Sequence, residues 1–258
     1  MNFQVEQQSV TVNMTGPGQL LSSVATRLAT GQGFALATIN LDHLVKLRHS
    51  ARFRTAYAEQ DLIAADGNPV VWLSWLAGRS VQLVPGSDVL VPLAAEAARA
   101  GVPVALVGST DSTLRAAAAA LQCAVPGLDI ALCVSPPMGF DVDGPEADAL
   151  LADLGRRRIG LCFLALGAPK QEIFAARGRH LAPNVGFASI GAGLDFLAGT
   201  EIRAPRLMRR LSLEWLWRMM QNPSRMIPRY LACAALLPEL VADALRLRHT
   251  AKGFRHRA

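Results

Sequence analysis

The fold class turns on the stretch Ile159-Gly160-Leu161-Cys162-Phe163-Leu164-Ala165-Leu166-Gly167-Ala168-Pro169-Lys170-Gln171-Glu172. Residues 159–166 are apolar without polar alternation, the pattern of a short strand covered by helices on both faces of a parallel sheet. The run ends directly in a glycine, and Pro169 stands where a first helical residue is expected. A helix N-terminus there presents free N–H groups and the positive end of the helix dipole. Lys170 adds a mobile cation and Gln171 a neutral hydrogen-bonding group, which together suit a phosphate or a sugar hydroxyl. An ordinary strand-to-helix turn fits the same spacing.

Outward from this segment, similar apolar runs occur at residues 34–39, 102–107, 130–134 and 185–190. Ala- and Leu-rich stretches with helical spacing, such as residues 89–100 and 112–122, lie between them. Strands alternating with helices predict an α/β fold with a largely parallel sheet. Near residue 200 the composition changes to Arg, Leu, Met and Trp. A boundary is expected there, between a catalytic core over residues 1–200 and a basic helical C-terminal appendage over residues 201–258.

The charge is placed unevenly. From Arg203 onward there are 12 Lys and Arg against three acids, a net +9, whereas residues 1–202 carry a net −3 within the overall +6. A basic tail on a mildly acidic body points to an anionic partner. The N-terminus reads as lacking a secretory leader, because no basic region precedes an apolar run. Cys123, Cys133, Cys162 and Cys233 form no CxxC pair and read as reduced thiols. Residues 230–245 come nearest to a membrane span, but Pro238, Glu239 and Asp243 interrupt them, so a buried or interfacial helix is expected.

In open parallel sheets, ligands sit beyond the carboxyl ends of the strands, so polar residues following apolar runs are the candidates. The first run ends in Thr38, Asn40, Asp42 and His43, where Asn40 and Asp42 fit binding or helix capping. Asp66 follows a short apolar run and precedes Gly67-Asn68-Pro69. A carboxylate at such a turn serves as a general base or as a cap. In Ser189-Ile190-Gly191-Ala192-Gly193-Leu194-Asp195, Gly191 and Gly193 allow close backbone approach to a ligand. The chain has no GxGxxG and no GxxxxGK[ST], which argues against dinucleotide and P-loop sites. Asp141-Val142-Asp143 has the form of a metal-binding DxD, but flanking prolines and glycines predict a surface loop.

Taken in order, residues 61–67, Val84-Pro85-Gly86-Ser87-Asp88, Gly167 to Glu172, residues 191–199, Arg203-Ala204-Pro205-Arg206 and Leu213-Glu214-Trp215-Leu216 resemble the WecG/TagA/CpsF glycosyltransferases across nearly the whole chain. The resemblance implies a Rossmann-like fold and an inverting transfer from a UDP-sugar donor to a polyprenyl-pyrophosphate-linked sugar, with no cofactor and no obligatory metal. It implies Asp66 as the base and Thr38 and Gln171 in substrate binding. It also implies that the Arg-rich appendage, with Arg206, Arg209 and Arg210, meets the acceptor pyrophosphate and the membrane. One departure is Leu83, where many relatives carry an arginine; Lys170 or an appendage arginine is expected to replace that cation. The segment Asn40-Leu41-Asp42-His43 is similar to a GumM-like subgroup of xanthan-type β-1,4-glucosyltransferases.

The resemblance implies a UDP-glucose-dependent hexosyltransferase of exopolysaccharide or cell-surface polysaccharide synthesis. It is expected as a peripheral protein on the anionic cytoplasmic face of the bacterial inner membrane. The rival donor is UDP-N-acetylmannosamine or its uronic acid. From other classes, a nucleic-acid-binding protein with a basic tail and a non-catalytic scaffold remain as alternatives. Trp215, Trp217, Met208, Met219 and Met220 interleave with the tail arginines, which suits a membrane interface better than nucleic acid. A homo-oligomer stays open.

Overall fold

The computed structural model describes residues 1–6, 8–205, 207–208 and 213–255, with side chains described through residue 249. Six parallel strands form the central sheet: β3 (Phe34–Ile39), β4 (Leu62–Ala65), β5 (Val104–Gly108), β6 (Ile130–Val134), β7 (Leu161–Ala165) and β8 (Gly186–Ser189), in the order β4-β3-β8-β7-β5-β6. An N-terminal antiparallel hairpin, β1 (Asn2–Val5) and β2 (Gln8–Thr11), packs beside it.

Helices cover both faces, and the strand period of two divides the core between them. Phe34, Leu36, Leu62, Ala64, Leu106, Phe163 and Ala188 face one layer. That layer consists of α1 (Pro17–Ala29), α5 (Gly86–Ala100), α6 (Asp111–Ala124) and α9 (Gly193–Ala198). Ala35, Ala37, Ile39, Ile63, Ala65, Cys162 and Phe187 face the other. Its helices are α2 (Leu41–His49), α3 (Ala51–Ala58), α4 (Asn68–Leu76), α7 (Pro145–Arg156) and α8 (Lys170–Leu181). The chain is therefore an α/β protein with a Rossmann-like parallel sheet, as its apolar runs predict.

Two C-terminal helices follow, α10 (Glu214–Gln221) and α11 (Pro223–Arg255). Helix α11 lies against α2 and α4 and buries Leu236, Leu240 and Ala244 with the core residues of that layer. Arg229 pairs with Asp42 at 2.8 Å, and Arg48 holds Glu239 with both terminal guanidinium nitrogens. Among the described residues, no helix is long and apolar enough to cross a membrane.

The strand order places a crevice between β3 and β8. The chain leaves β3 into α2 on one face, and it leaves neighbouring β8 into α9 on the other. Such a divergence opens a ligand-binding crevice at the carboxyl ends of the two strands.

Candidate active site

Asp66 stands one residue beyond β4, at the rim of this crevice. Its N–H donates to the Ile39 carbonyl at 2.8 Å, so the pairing of β3 with β4 continues to the candidate base. Gly67 then turns the chain with φ +107°, a conformation that a side-chain-bearing residue rarely takes, and α4 begins. Thr38 lies on β3 opposite Ala64. Its hydroxyl donates a long hydrogen bond of 3.5 Å to Asp66 Oδ2.

Enclosure by protein pushes the Asp66 carboxyl up to about 6. Arg218 and the Thr38 hydroxyl oppose that rise, and the negative charges of Glu214 and Asp88 add to it. A carboxylate at that value is ionised at neutral pH yet remains a better proton acceptor than an ordinary one, as a general base requires. Arg218 and Glu214 come from α10, about 150 residues away in sequence, and pair with each other at 3.4 Å. The Arg218 guanidinium lies 5.3 Å from the Phe196 ring centre, and Arg203 approaches the same ring at 6.0 Å. Arg203 also pairs with Asp88 in the first turn of α5. Two guanidinium groups thus converge on one aromatic ring beside the crevice.

The Gly167–Glu172 turn is placed differently from its sequence expectation. Gln171 is buried, and its amide works inward: Nε2 donates to Glu172 Oε1 at 2.8 Å, and Oε1 accepts the Gly191 N–H at 3.2 Å. It therefore ties the start of α8 to the loop after β8. Gly191 takes φ +57° in that loop. Gly193 opens α9, where an added Cβ would meet only ordinary contacts with Ile190 and Ser87. Lys170 points outward and donates to the Phe140 carbonyl at 2.9 Å, in the loop after β6. Glu172 is fully buried, and burial raises its carboxyl to about 7 against the Gln171 hydrogen bond.

Asn40 caps α2, accepting the His43 N–H at 3.1 Å. Asp42 is buried between Lys46 and Arg229, each at 2.8 Å, in ion pairs not aligned as hydrogen bonds. Lys46 also donates to the Ala168 carbonyl. Asp42 thus joins α2, α11 and the Gly167–Glu172 turn. Asp143 is engaged by Arg52 and Arg177, and Asp141 accepts the Asp143 N–H within its own turn, so this segment is the expected surface loop. Among the described residues, no group of three or more His, Cys, Asp or Glu side chains is arranged to hold a metal ion. Arg206, Arg209 and Arg210 lie outside the described residues.

Several residues of the crevice were not among the candidates from sequence. Asp195, in the first turn of α9, accepts at 2.6 Å from the Oγ of Ser109, one residue beyond β5. Its position at the end of the Gly191–Asp195 motif was the available signal. Arg203, Arg218 and Glu214 reach the site only through the packing of the C-terminal segment, and Asp88 approaches it from the first turn of α5.

A parallel α/β core with an enclosed carboxylate just beyond its strand β4, and two arginines brought near it by the C-terminal segment, is an arrangement suited to group transfer. The chain belongs to the glycosyl transferase WecG/TagA/CpsF family, whose sequence profile matches residues 5–250, and it is a glycosyltransferase. It is 29% identical over 212 residues to the N-acetylglucosaminyldiphosphoundecaprenol N-acetyl-beta-D-mannosaminyltransferase of Bacillus spizizenii, covering 80% of each chain. The Bacillus subtilis enzyme of the same name is 28% identical over 206 residues, covering 77% of each.

Proposed function

We propose that this protein transfers an N-acetylmannosaminyl group from a UDP-linked donor to a polyprenyl-diphosphate-linked N-acetylglucosamine, with inversion, in the synthesis of a bacterial surface polysaccharide. The names of the two Bacillus relatives support this donor over the UDP-glucose that the Asn40–His43 segment suggests. Membership in a glycosyltransferase family supports the enzymatic reading over a nucleic-acid-binding one. The observation that carries the mechanism is Asp66: an enclosed carboxylate raised to about 6, just beyond β4, with the Thr38 hydroxyl on β3 in contact with it and the charge of Arg218 favouring its ionised form.

Asp66 takes the proton of the acceptor hydroxyl as that oxygen attacks the anomeric carbon. The bond from that carbon to the donor diphosphate breaks on the opposite face, and its electron pair leaves with UDP. Arg218 and Arg203 supply positive charge for the departing diphosphate, the part that a cation at position 83 would otherwise play. No metal is required in this scheme.

The acceptor lipid implies work at a membrane surface. The net +9 of residues 203–258 supports an anionic one. So do Ile227, Leu231, Val241 and Leu245, which are exposed on α11 at helical spacing along one stripe. The test is a panel of UDP-sugars assayed with a short-chain polyprenyl-diphosphate N-acetylglucosamine. UDP-N-acetylmannosamine should give the fastest formation of lipid-linked disaccharide. Faster transfer from UDP-glucose would overturn the donor assignment.

A further inference from the structure

Beneath the end of β3 lies a buried polar group that the mechanism above does not use. Tyr57 on α3 and His43 on α2 are 1% and 6% exposed. Both reach one atom, the Thr38 carbonyl oxygen: Tyr57 Oη at 2.8 Å and His43 Nδ1 at 2.7 Å, with 3.0 Å between the two side chains. An oxygen acceptor at 2.7 Å requires the proton on Nδ1, so His43 donates from that nitrogen. The Tyr57 hydroxyl donates to the same carbonyl and fills its second lone pair. Phe53 stands edge-on to both rings, at 5.0 Å from Tyr57 and 6.0 Å from His43, and fixes their orientation.

This placement has a specific geometric cause. Successive carbonyls of a strand point to opposite neighbours. The Ile39 carbonyl points to β4, where it accepts the Asp66 N–H, so the Thr38 carbonyl points toward the β8 side. Residues 37 of β3 and 189 of β8 are the last pair of that ladder. The Thr38 carbonyl thus lies past the end of its ladder, and a buried carbonyl needs partners. One donor would satisfy it. Two buried aromatic donors hold it from two helices, and the Thr38 hydroxyl on the other face touches Asp66.

We propose that Tyr57 and His43 are positioning residues for the reaction: by gripping the Thr38 carbonyl they set where the Thr38 hydroxyl stands against Asp66. The inference rests on Asp66 acting as the base. The Thr38 hydroxyl favours the ionised form of that carboxylate, in a setting where enclosure, Glu214 and Asp88 oppose ionisation and Arg218 supports it. Loosening the carbonyl should weaken the hydroxyl contact and move Asp66 titration to higher pH. His43 itself stays neutral, because burial lowers it to about 4 against the pull of Asp42, with Lys46 and Arg229 adding to the lowering.

The test measures the Asp66 carboxyl directly, by ¹³C NMR titration of aspartate-labelled protein, with the resonance assigned from its loss in Asp66→Asn. Tyr57→Phe should raise the midpoint, Thr38→Val should raise it at least as far, and the double variant should go no further than Thr38→Val alone. In transfer assays Tyr57→Phe should lower kcat by about three- to ten-fold, the factor of one hydrogen bond, with both KM values unchanged. If Tyr57→Phe does not fold, the His43 variants decide. His43→Leu should raise the midpoint, and His43→Asn, whose amide N–H stands near the Nδ1 position, should restore it. A midpoint that stays at its wild-type value in Tyr57→Phe or in Thr38→Val overturns the inference. An Asp66→Asn enzyme that still turns over overturns the base assignment instead, and the titration is read independently of turnover.

Discussion

The Gln171 carboxamide oxygen accepts the N–H of Gly191 at 3.2 Å, joining the first turn of α8 to the glycine loop that follows β8. Glu172 Oε1 takes the amide nitrogen at 2.8 Å and so orients the carboxamide, leaving its oxygen for Gly191. The conspicuous Gly167–Glu172 motif therefore ties the start of α8 to the loop after β8.

Removing that tie should cost both order and donor use. Gln171→Ala deletes one buried and one half-buried hydrogen bond, leaving a Glu172 oxygen and the Gly191 N–H without that partner, a loss of about 1 to 3 kcal/mol for the buried one. The expected result is a lower Tm together with a kcat/KM for the donor reduced by roughly ten-fold or more. Donor titration and thermal unfolding check it. A lowered Tm with unchanged donor kinetics would make the tie purely structural.

Glu172 gives a pH signature in stability. Burial raises its carboxyl to about 7 from an ordinary 4.5, so the folded state holds its proton over that interval while the unfolded state releases it. Its contribution to stability therefore falls as pH rises from about 4.5 to 7. Glu172→Gln keeps the oxygen that Gln171 needs and carries no charge. Relative to wild type, this variant should gain on the order of 2 kcal/mol between pH 5 and pH 8 in denaturant unfolding. Parallel stability curves for the two proteins would contradict the burial argument.

Transfer should persist in excess chelator. Asp143 is occupied by Arg52 and Arg177, and arginines stand over the crevice where other transferases use a divalent cation. Initial rates with and without EDTA should agree within about two-fold. A loss restored by Mg²⁺ or Mn²⁺ would bring Asp141 and Asp143 back into the site.

The tail arginines should act mainly through the membrane. Changing Arg206, Arg209 and Arg210 together to Gln removes about 1 kcal/mol of attraction to an anionic surface per residue. Flotation with anionic vesicles should weaken markedly, and transfer to a long-chain acceptor should slow more than transfer to a short, water-soluble one. High salt should reduce wild-type flotation without abolishing it, because the exposed apolar stripe of α11 is not screened. Equal losses on both acceptors would place these arginines in the site.

The central strands were legible because a strand buried on both faces has to be apolar at every position, and residues 34–39 match the observed β3; residues 130–134 match β6 by composition alone, since this edge strand leaves Ala131 and Cys133 exposed. The hairpin β1–β2 is not legible, since alternation over only four residues, as in Asn2–Val5, is too short to stand out from chance. Strand β4 is only four residues long and registered merely as an apolar run before Asp66. Asp66 could be singled out because it follows such a run, and Thr38 because it is the polar residue near the end of one. Arg218, Glu214 and Arg203 could not, since their place over the crevice depends on how the C-terminal segment packs. Asp42 and Gln171 show the converse limit: a polar residue at a strand end can turn inward, and only the fold shows that Arg229, Lys46 and Gly191 await it there.

The most direct test is the turnover of Asp66→Asn at pH 8, where the wild-type carboxyl is fully ionised. Asparagine keeps the shape of the side chain and the Thr38 contact but cannot accept the acceptor's proton. With UDP-N-acetylmannosamine and a short-chain polyprenyl-diphosphate N-acetylglucosamine, turnover should fall by about 10² to 10⁴, while circular dichroism and thermal unfolding show a native fold. A folded Asp66→Asn protein retaining more than about a tenth of wild-type turnover would contradict the assignment of Asp66 as the base.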